Sequence, residues 1–230
     1  MAVFDFRTFY HRVCFVEGDW VKQVMKGLRE DDFPEGCDVL ACPGFLAYVY
    51  VDHEAGMTLE ILALGNVEDI TKNKLIPVPA KISVKARVPD RMQDGNKVYL
   101  LGGPFGEWYA EKVKMVNQGY GGNAKVENFR RSILPDPYRH PEFPDDIQVS
   151  FVPEKPGDIE VCWVRGESLA GYIGTGVLLN EPRGNFGVHR GDTVTFAFIE
   201  HEGKPYCVYL DGLNGRQTPE IRVTVEVVDR

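Results

Sequence analysis

The chain has 230 residues, 43% apolar and 26% charged, which excludes collagen-like, coiled-coil, disordered and membrane-spanning classes and leaves one large or two small globular domains. Its 26 Lys and Arg against 34 Asp and Glu give net −8, so a general nucleic-acid binder with a basic surface is not expected.

The first residues already carry Asp5 and Arg7 with no apolar core behind them, so no signal peptide is expected. The longest uncharged apolar run, Val39 to Val51, holds thirteen residues with Pro43 and Gly44 inside, too few to span a bilayer. A cytoplasmic protein without membrane contact is the expectation.

Asp19 to Arg29 has Trp20, Val24 and Leu28 at every fourth position, with Lys22, Lys26 and Arg29 facing away. That spacing predicts an amphipathic helix with Asp19 as its N-cap. Val39 to Val51 and Met57 to Leu64 read as strands joined by a turn at Asp52 to Gly56. In Lys81 to Val88, Ile82, Val84, Ala86 and Val88 alternate with Lys81, Ser83, Lys85 and Arg87, predicting a strand with one buried face and one wet, basic face. Asp94-Gly95-Asn96 turns into a strand at Lys97 to Leu101. Glu107 to Val116 fits a strand or a short helix, Gln118 to Asn123 a loop, and Val126 to Leu134 a short helix with Asn128, Arg130 and Arg131 exposed.

Pro135 to Pro144 holds four prolines, which forbids regular structure and predicts a linker or a strap that packs through its aromatics. Six strands are expected beyond it: Ile147 to Val152, Ile159 to Arg165, Tyr172 to Asn180, Thr193 to Ile199, Tyr206 to Leu210 and Glu220 to Val228. Glu202-Gly203 is a hairpin turn. The fold class is therefore α+β and mostly antiparallel β. The C-terminal part (145–230) is a small barrel or bent sheet, because closure removes open edges. The N-terminal part (1–134) is β-rich with one or two short helices, and 135–144 is the proline-rich strap.

Five cysteines, at 14, 37, 42, 162 and 207, are odd in number and scattered, unlike a disulfide framework. They read as reduced and mostly buried, and a zinc site would need a second pair at matching spacing. The glycine clusters at 102–106, 119–122 and 171–176 match neither dinucleotide nor phosphate-loop spacing and read as turns and barrel kinks. His53 and His201 fall at expected hairpin tips and read as solvated. The acidic pairs Asp31-Asp32, Asp145-Asp146 and Glu200/Glu202 read as solvated faces. No catalytic residue, metal ligand or cofactor is assigned.

Glu160-Val161-Cys162-Trp163-Val164, then Gly176-Val177-Leu178-Leu179-Asn180-Glu181-Pro182, then Gly191-Asp192-Thr193-Val194 resembles a group of bacterial domains of unknown function. They share Glu-x-x-Trp-Val, Gly-x-Leu-x-Asn-x-Pro and a Gly-Asp turn. The resemblance covers roughly 145–212 and departs at Tyr209 to Gly212, where the group often closes with Asp-Trp. It implies a small β-rich module, with relatives among immunity proteins that sit beside bacterial toxins. The pattern reads as a fold signature, in which Trp163 plugs the barrel core or sits at its mouth, or as a ligand or partner surface of Trp163, Asn180, Glu181, Arg183 and His189.

Three functional readings follow. The first is a non-catalytic interaction, immunity-type or regulatory module whose acidic balance suits a basic protein such as a toxin. The second is an enzyme or small-anion binder with its site between the two halves, lined by Arg139 and His140 and holding its ligand through Arg130, Arg131 and Arg139. The third is a homo-oligomer subunit contacting its copies through Trp108, Tyr109 and Tyr120.

Overall fold

A computed structural model describes residues 6–29, 33, 35–72, 74–79, 81–88, 95–102, 105–153 and 159–210. The strand expected at Glu220 to Val228 and the acidic pair Asp31-Asp32 lie outside the described residues, as do parts of the 102–106 glycine cluster and of the Asp94-Gly95-Asn96 turn. The chain forms two units: one from the described residues of Met1–Ser132 with Arg139–Asp146, the other from Ile133–Tyr138 with those of Ile147–Arg230.

The first unit begins with α1 (Phe6–Phe9), β1 (Val13–Gly18) and α2 (Asp19–Lys26). It continues through β2 (Gly44–Asp52), β3 (Gly56–Gly65), α3 (Val67–Lys72), β4 (Ile76–Pro77), β5 (Lys85–Arg87) and β6 (Asn96–Leu100). The helices α4 (Phe105–Trp108), α5 (Ala110–Tyr120) and α6 (Ala124–Arg131) follow. The sheet runs β4-β3-β2-β1-β6, and β5 pairs with β3 beyond the β4 segment. β2 and β3 are buried along nearly their whole length, as expected of central strands covered on both faces. On one face Phe45, Ala47, Val49 and Val51 pack with Val21 and Met25 of α2. On the other Leu46, Tyr48 and Tyr50 pack with Val116 of α5. A bulge between Leu46 and Ala47 shifts the register of β2 against β3, so that Ile61 and Leu64 share a face although they are three residues apart.

The second unit holds β7 (Asp146–Phe151), β8 (Glu160–Ala170), β9 (Ile173–Leu178), β10 (Thr193–His201) and β11 (Lys204–Tyr209), closed as a barrel in the order β10-β11-β7-β8-β9. Five strands that each reverse direction leave the first and last pointing the same way. The closing pair is accordingly parallel, with Val208 beside Ser150. Val149, Phe151, Cys162, Val164, Leu178, Val194, Phe196 and Cys207 fill the interior. Glu202 and Gly203 join β10 to β11 with φ of 52° and 72°, the paired left-handed geometry of a tight hairpin.

The α+β, mostly antiparallel architecture and the C-terminal barrel are as expected, and several local readings change. Val39–Ala41 is a 3₁₀ turn, closed by Asp38, whose side chain accepts from the Ala41 amide at 3.1 Å. Lys81 to Val88 divides: Ile82 bonds back to Pro79 in a turn, and the ladder begins at Val84. The exposed-against-buried alternation along it holds. Gly18 takes the cap position of α2, and Asp19 sits in its first turn with Lys22. Glu107 to Val116 is helical except at Tyr109, which separates α4 from α5, and α5 runs on to Tyr120, leaving 121–123 as loop. No helix among the described residues is long and apolar enough to cross a membrane.

Candidate functional site

In the first unit, α2 and β5 enclose an open groove of about 520 Å³. Trp20 and Val24 of α2, with Leu28 two residues past its end, form its apolar wall with Val84 and Ala86. Arg29, Lys85 and Arg87 line it, and among the described residues no acidic side chain does. Arg87 also reaches Thr58 and, at 3.2 Å, Asp52, while the Lys85 ammonium lies over the Tyr120 ring at 4.5 Å from its centre. The helix stripe and the basic strand face are each visible in the sequence. Their meeting is not, because α2 and β5 are about sixty residues apart and are joined only through the sheet.

The barrel brings together Trp163, Asn180, Glu181, Arg183 and His189. Asn180 Oδ1 accepts from the Trp163 amide at 2.7 Å, and the Leu179 amide donates to the Trp163 carbonyl at 2.8 Å. The Glu160 carboxylate accepts from the amides of Arg183 (2.8 and 2.9 Å) and Gly184 (3.0 Å), which hold it below the usual carboxylate range. Glu181 accepts from His189 Nδ1 at 2.7 Å and the Arg190 amide at 2.9 Å. That hydrogen bond lowers the carboxyl and raises the imidazole. Asp192 caps the turn through the His189 amide at 2.8 Å. Glu160, Asn180, Glu181 and Asp192 thus clamp the loop that links β9 to β10. Trp163 does not plug the barrel. Cys162 and Val164 take the inward phase of β8, so the indole, one residue away, stands on the outer surface.

Arg139 and His140 belong to the first unit. Arg139 donates to the carbonyls of Pro144, Phe129 (2.7 Å) and Ser132 (3.2 Å) and stacks over Phe129. His140 Nδ1 accepts from the Glu142 amide at 3.1 Å. Arg130, expected on the surface, is 1% exposed. It binds Asp145 through Nε (2.9 Å) and Nη2 (2.6 Å), and also reaches Glu127 (2.9 Å), the Tyr10 hydroxyl (2.8 Å) and the Val51 carbonyl (3.3 Å). Asp145, expected on a solvated face, is 1% exposed. Burial works to raise its carboxyl, but hydrogen bonds from Arg130 and His53 outweigh it and hold the group low. His53, expected in solvent, caps this cluster with Nδ1 at 2.8 Å from Asp145. Arg130 and Arg139 are therefore committed within the unit, to carboxylates and carbonyls. Tyr109 and Tyr120, expected as contact residues between copies, pack against the core face beneath α5, whereas Trp108 is 54% exposed.

All five cysteines are free thiols, and burial pushes Cys14 up to about 12. Among the described residues no three His, Cys, Asp or Glu side chains are placed to hold a metal ion. Comparison with protein-family models, curated proteins and solved structures finds no match to this chain.

Proposed function

We propose that this chain is a non-catalytic protein-interaction module, of the regulatory or immunity type that the barrel pattern resembles, and that it engages its partner through the first unit. The observation that supports this reading is the groove beside β5. It sets an apolar wall and a basic rim against a strand that pairs with β3 alone among the described residues. The net charge of −8 adds long-range steering toward a partner whose remaining surface is basic.

The test places a photo-crosslinking amino acid at Gln23 on the groove rim and, as control, at Gln148 on the barrel. The crosslinked protein is then purified separately and mixed with the full chain. A one-to-one complex that protects the amides of 83–88 from hydrogen exchange is expected. A partner that crosslinks only at Gln148, or a mixture with no complex and no protection, overturns the reading.

A further inference from the structure

We infer that the groove between α2 and β5 receives an extended acidic peptide segment, which pairs as an added strand with the edge of β5 that no other described strand occupies. This rests on the interaction reading and deepens it by naming what the groove recognises.

The ladder fixes which backbone groups are offered. Ile61 donates to the Val84 carbonyl at 2.8 Å and Val88 donates to the Met57 carbonyl at 3.0 Å. In an antiparallel pair such exchanges recur at every second residue, so Val84, Ala86 and Val88 turn their amides and carbonyls to β3. Lys85 and Arg87, which stand opposite Glu60 and Thr58, turn theirs away from β3, to the edge that no other described strand pairs with, and both residues line the groove. From Ser83 to Arg87 this edge is about 13 Å long, enough for four residues of an added strand.

The side chains decide what kind of strand fits. An added strand alternates its side chains, one set against the wall of Trp20, Val24 and Leu28 and the other outward along Lys85 and Arg87. Apolar residues suit the first set. Carboxylates suit the second, because among the described residues Arg29, Lys85 and Arg87 are the charged ones lining the groove, and of these Arg87 alone pairs with a described carboxylate, Asp52. The same cations oppose a second copy of this chain: pairing β5 with itself would bring Lys85 and Arg87 against their equivalents. They also attract nucleic acid, but a phosphate backbone cannot exchange paired N–H and C=O bonds with a strand edge.

The experiment measures fluorescence anisotropy of labelled eight-residue peptides, one alternating Glu with Val and one alternating Lys with Val, on the full chain. The acidic peptide is expected to bind about tenfold more tightly than the basic one, and Lys85→Glu to weaken it about tenfold. Lys85→Gln and Lys85→Pro both remove the ammonium, but only the proline removes the outward amide. The proline is expected to bind about fivefold more weakly than the glutamine. Should Lys85→Pro melt at lower temperature than Lys85→Gln, N-methylation of alternate peptide amides on the unaltered protein replaces it, and loss of binding is expected.

Equal binding of the two peptides overturns the inference, as does unchanged binding after N-methylation, or binding absent up to about 1 mM. So does a single-stranded oligonucleotide that binds as tightly as the acidic peptide and is equally insensitive to Gln and Pro at Lys85. If the peptides fail while the crosslinked partner still protects 83–88, strand addition falls and the interaction reading stands. If that partner protects none of 83–88, both fall.

Discussion

Arg130 uses every nitrogen of its guanidinium, on Asp145, Glu127, the Tyr10 hydroxyl and the Val51 carbonyl, at 1% exposure. Removing it alone leaves Asp145 charged and buried with only His53 beside it. Arg130→Met is therefore expected to lower unfolding free energy by about 3–5 kcal/mol, read from urea denaturation. Adding Asp145→Leu to that variant removes the stranded charge and should recover a large part of the loss. If the single and double variants unfold alike, the pair is not what the site depends on. The same carboxylate sets an acid response. Its folded pKa lies below the unfolded one. Its contribution is therefore fully present above the unfolded value of about 3.9 and lost as pH falls through the lower folded value. Urea midpoints followed from pH 7 to pH 2.5 should drop more steeply in the unaltered protein than in the Arg130→Met, Asp145→Leu variant.

The barrel's narrowness is written into β9. Five strands enclose little space, and Gly174 and Gly176 face inward where larger residues would stand in a wider barrel. A Cβ on Gly174 would come within 2.4 Å of the Phe196 ring, and one on Gly176 within 2.3 Å of the Arg165 carbonyl oxygen. Ala at either position is expected to cost about 1–3 kcal/mol in thermal or urea unfolding. Phe196→Leu should return part of that loss to Gly174→Ala, because a ring can be trimmed. It should return nothing to Gly176→Ala, where the obstacle is backbone. Equal rescue of both would show that the two glycines answer to one shared void and not to separate contacts.

At the scale of the whole chain, the two units do not follow one after the other. Arg139–Asp146 groups with the first unit although Ile133–Tyr138, which precedes it, groups with the second. The returning stretch brings Asp145 to Arg130 and His53, Arg139 to the Phe129 carbonyl, and the Glu142 carbonyl to the Met57 amide at 2.9 Å. A fragment ending at 134 lacks all three and retains the buried Arg130 without its carboxylate. It is expected to be less stable than a fragment ending at 146 by about 3–5 kcal/mol, measured by urea denaturation of the two side by side. Equal stability would mean that the returning stretch is only a covering.

Periodicity was enough for elements whose two sides see different surroundings. The packing of Trp20, Val24 and Leu28, the alternation from Ile82 to Val88 and the Glu202-Gly203 turn appear in the fold as the residues alone imply, although the helix stops at Lys26 instead of Arg29 and Arg29 lines the groove with that stripe instead of facing away from it. The same reasoning implied antiparallel β structure ending in a small barrel or a bent sheet, because runs of alternating residues between turns must pair with something, and the fold takes the closed form, which leaves no edge. Charge placement was not legible in this way. Arg130 and Asp145 read as surface residues because ionised side chains stay in water unless a partner offsets desolvation, and each is the other's partner across fifteen positions. Sequence left Trp163 either in the barrel core or mouth or on an outer surface, and the structure puts it outside because Cys162 and Val164 claim the inward phase of β8. The groove of α2 and β5 likewise exists only once pairing with β3 sets β5 beside the helix. Local pattern determines an element because its cause lies within a few residues. Which charges meet, and which strand edge stays open, is decided by contacts between residues far apart in the chain, and only the tertiary structure brings those together.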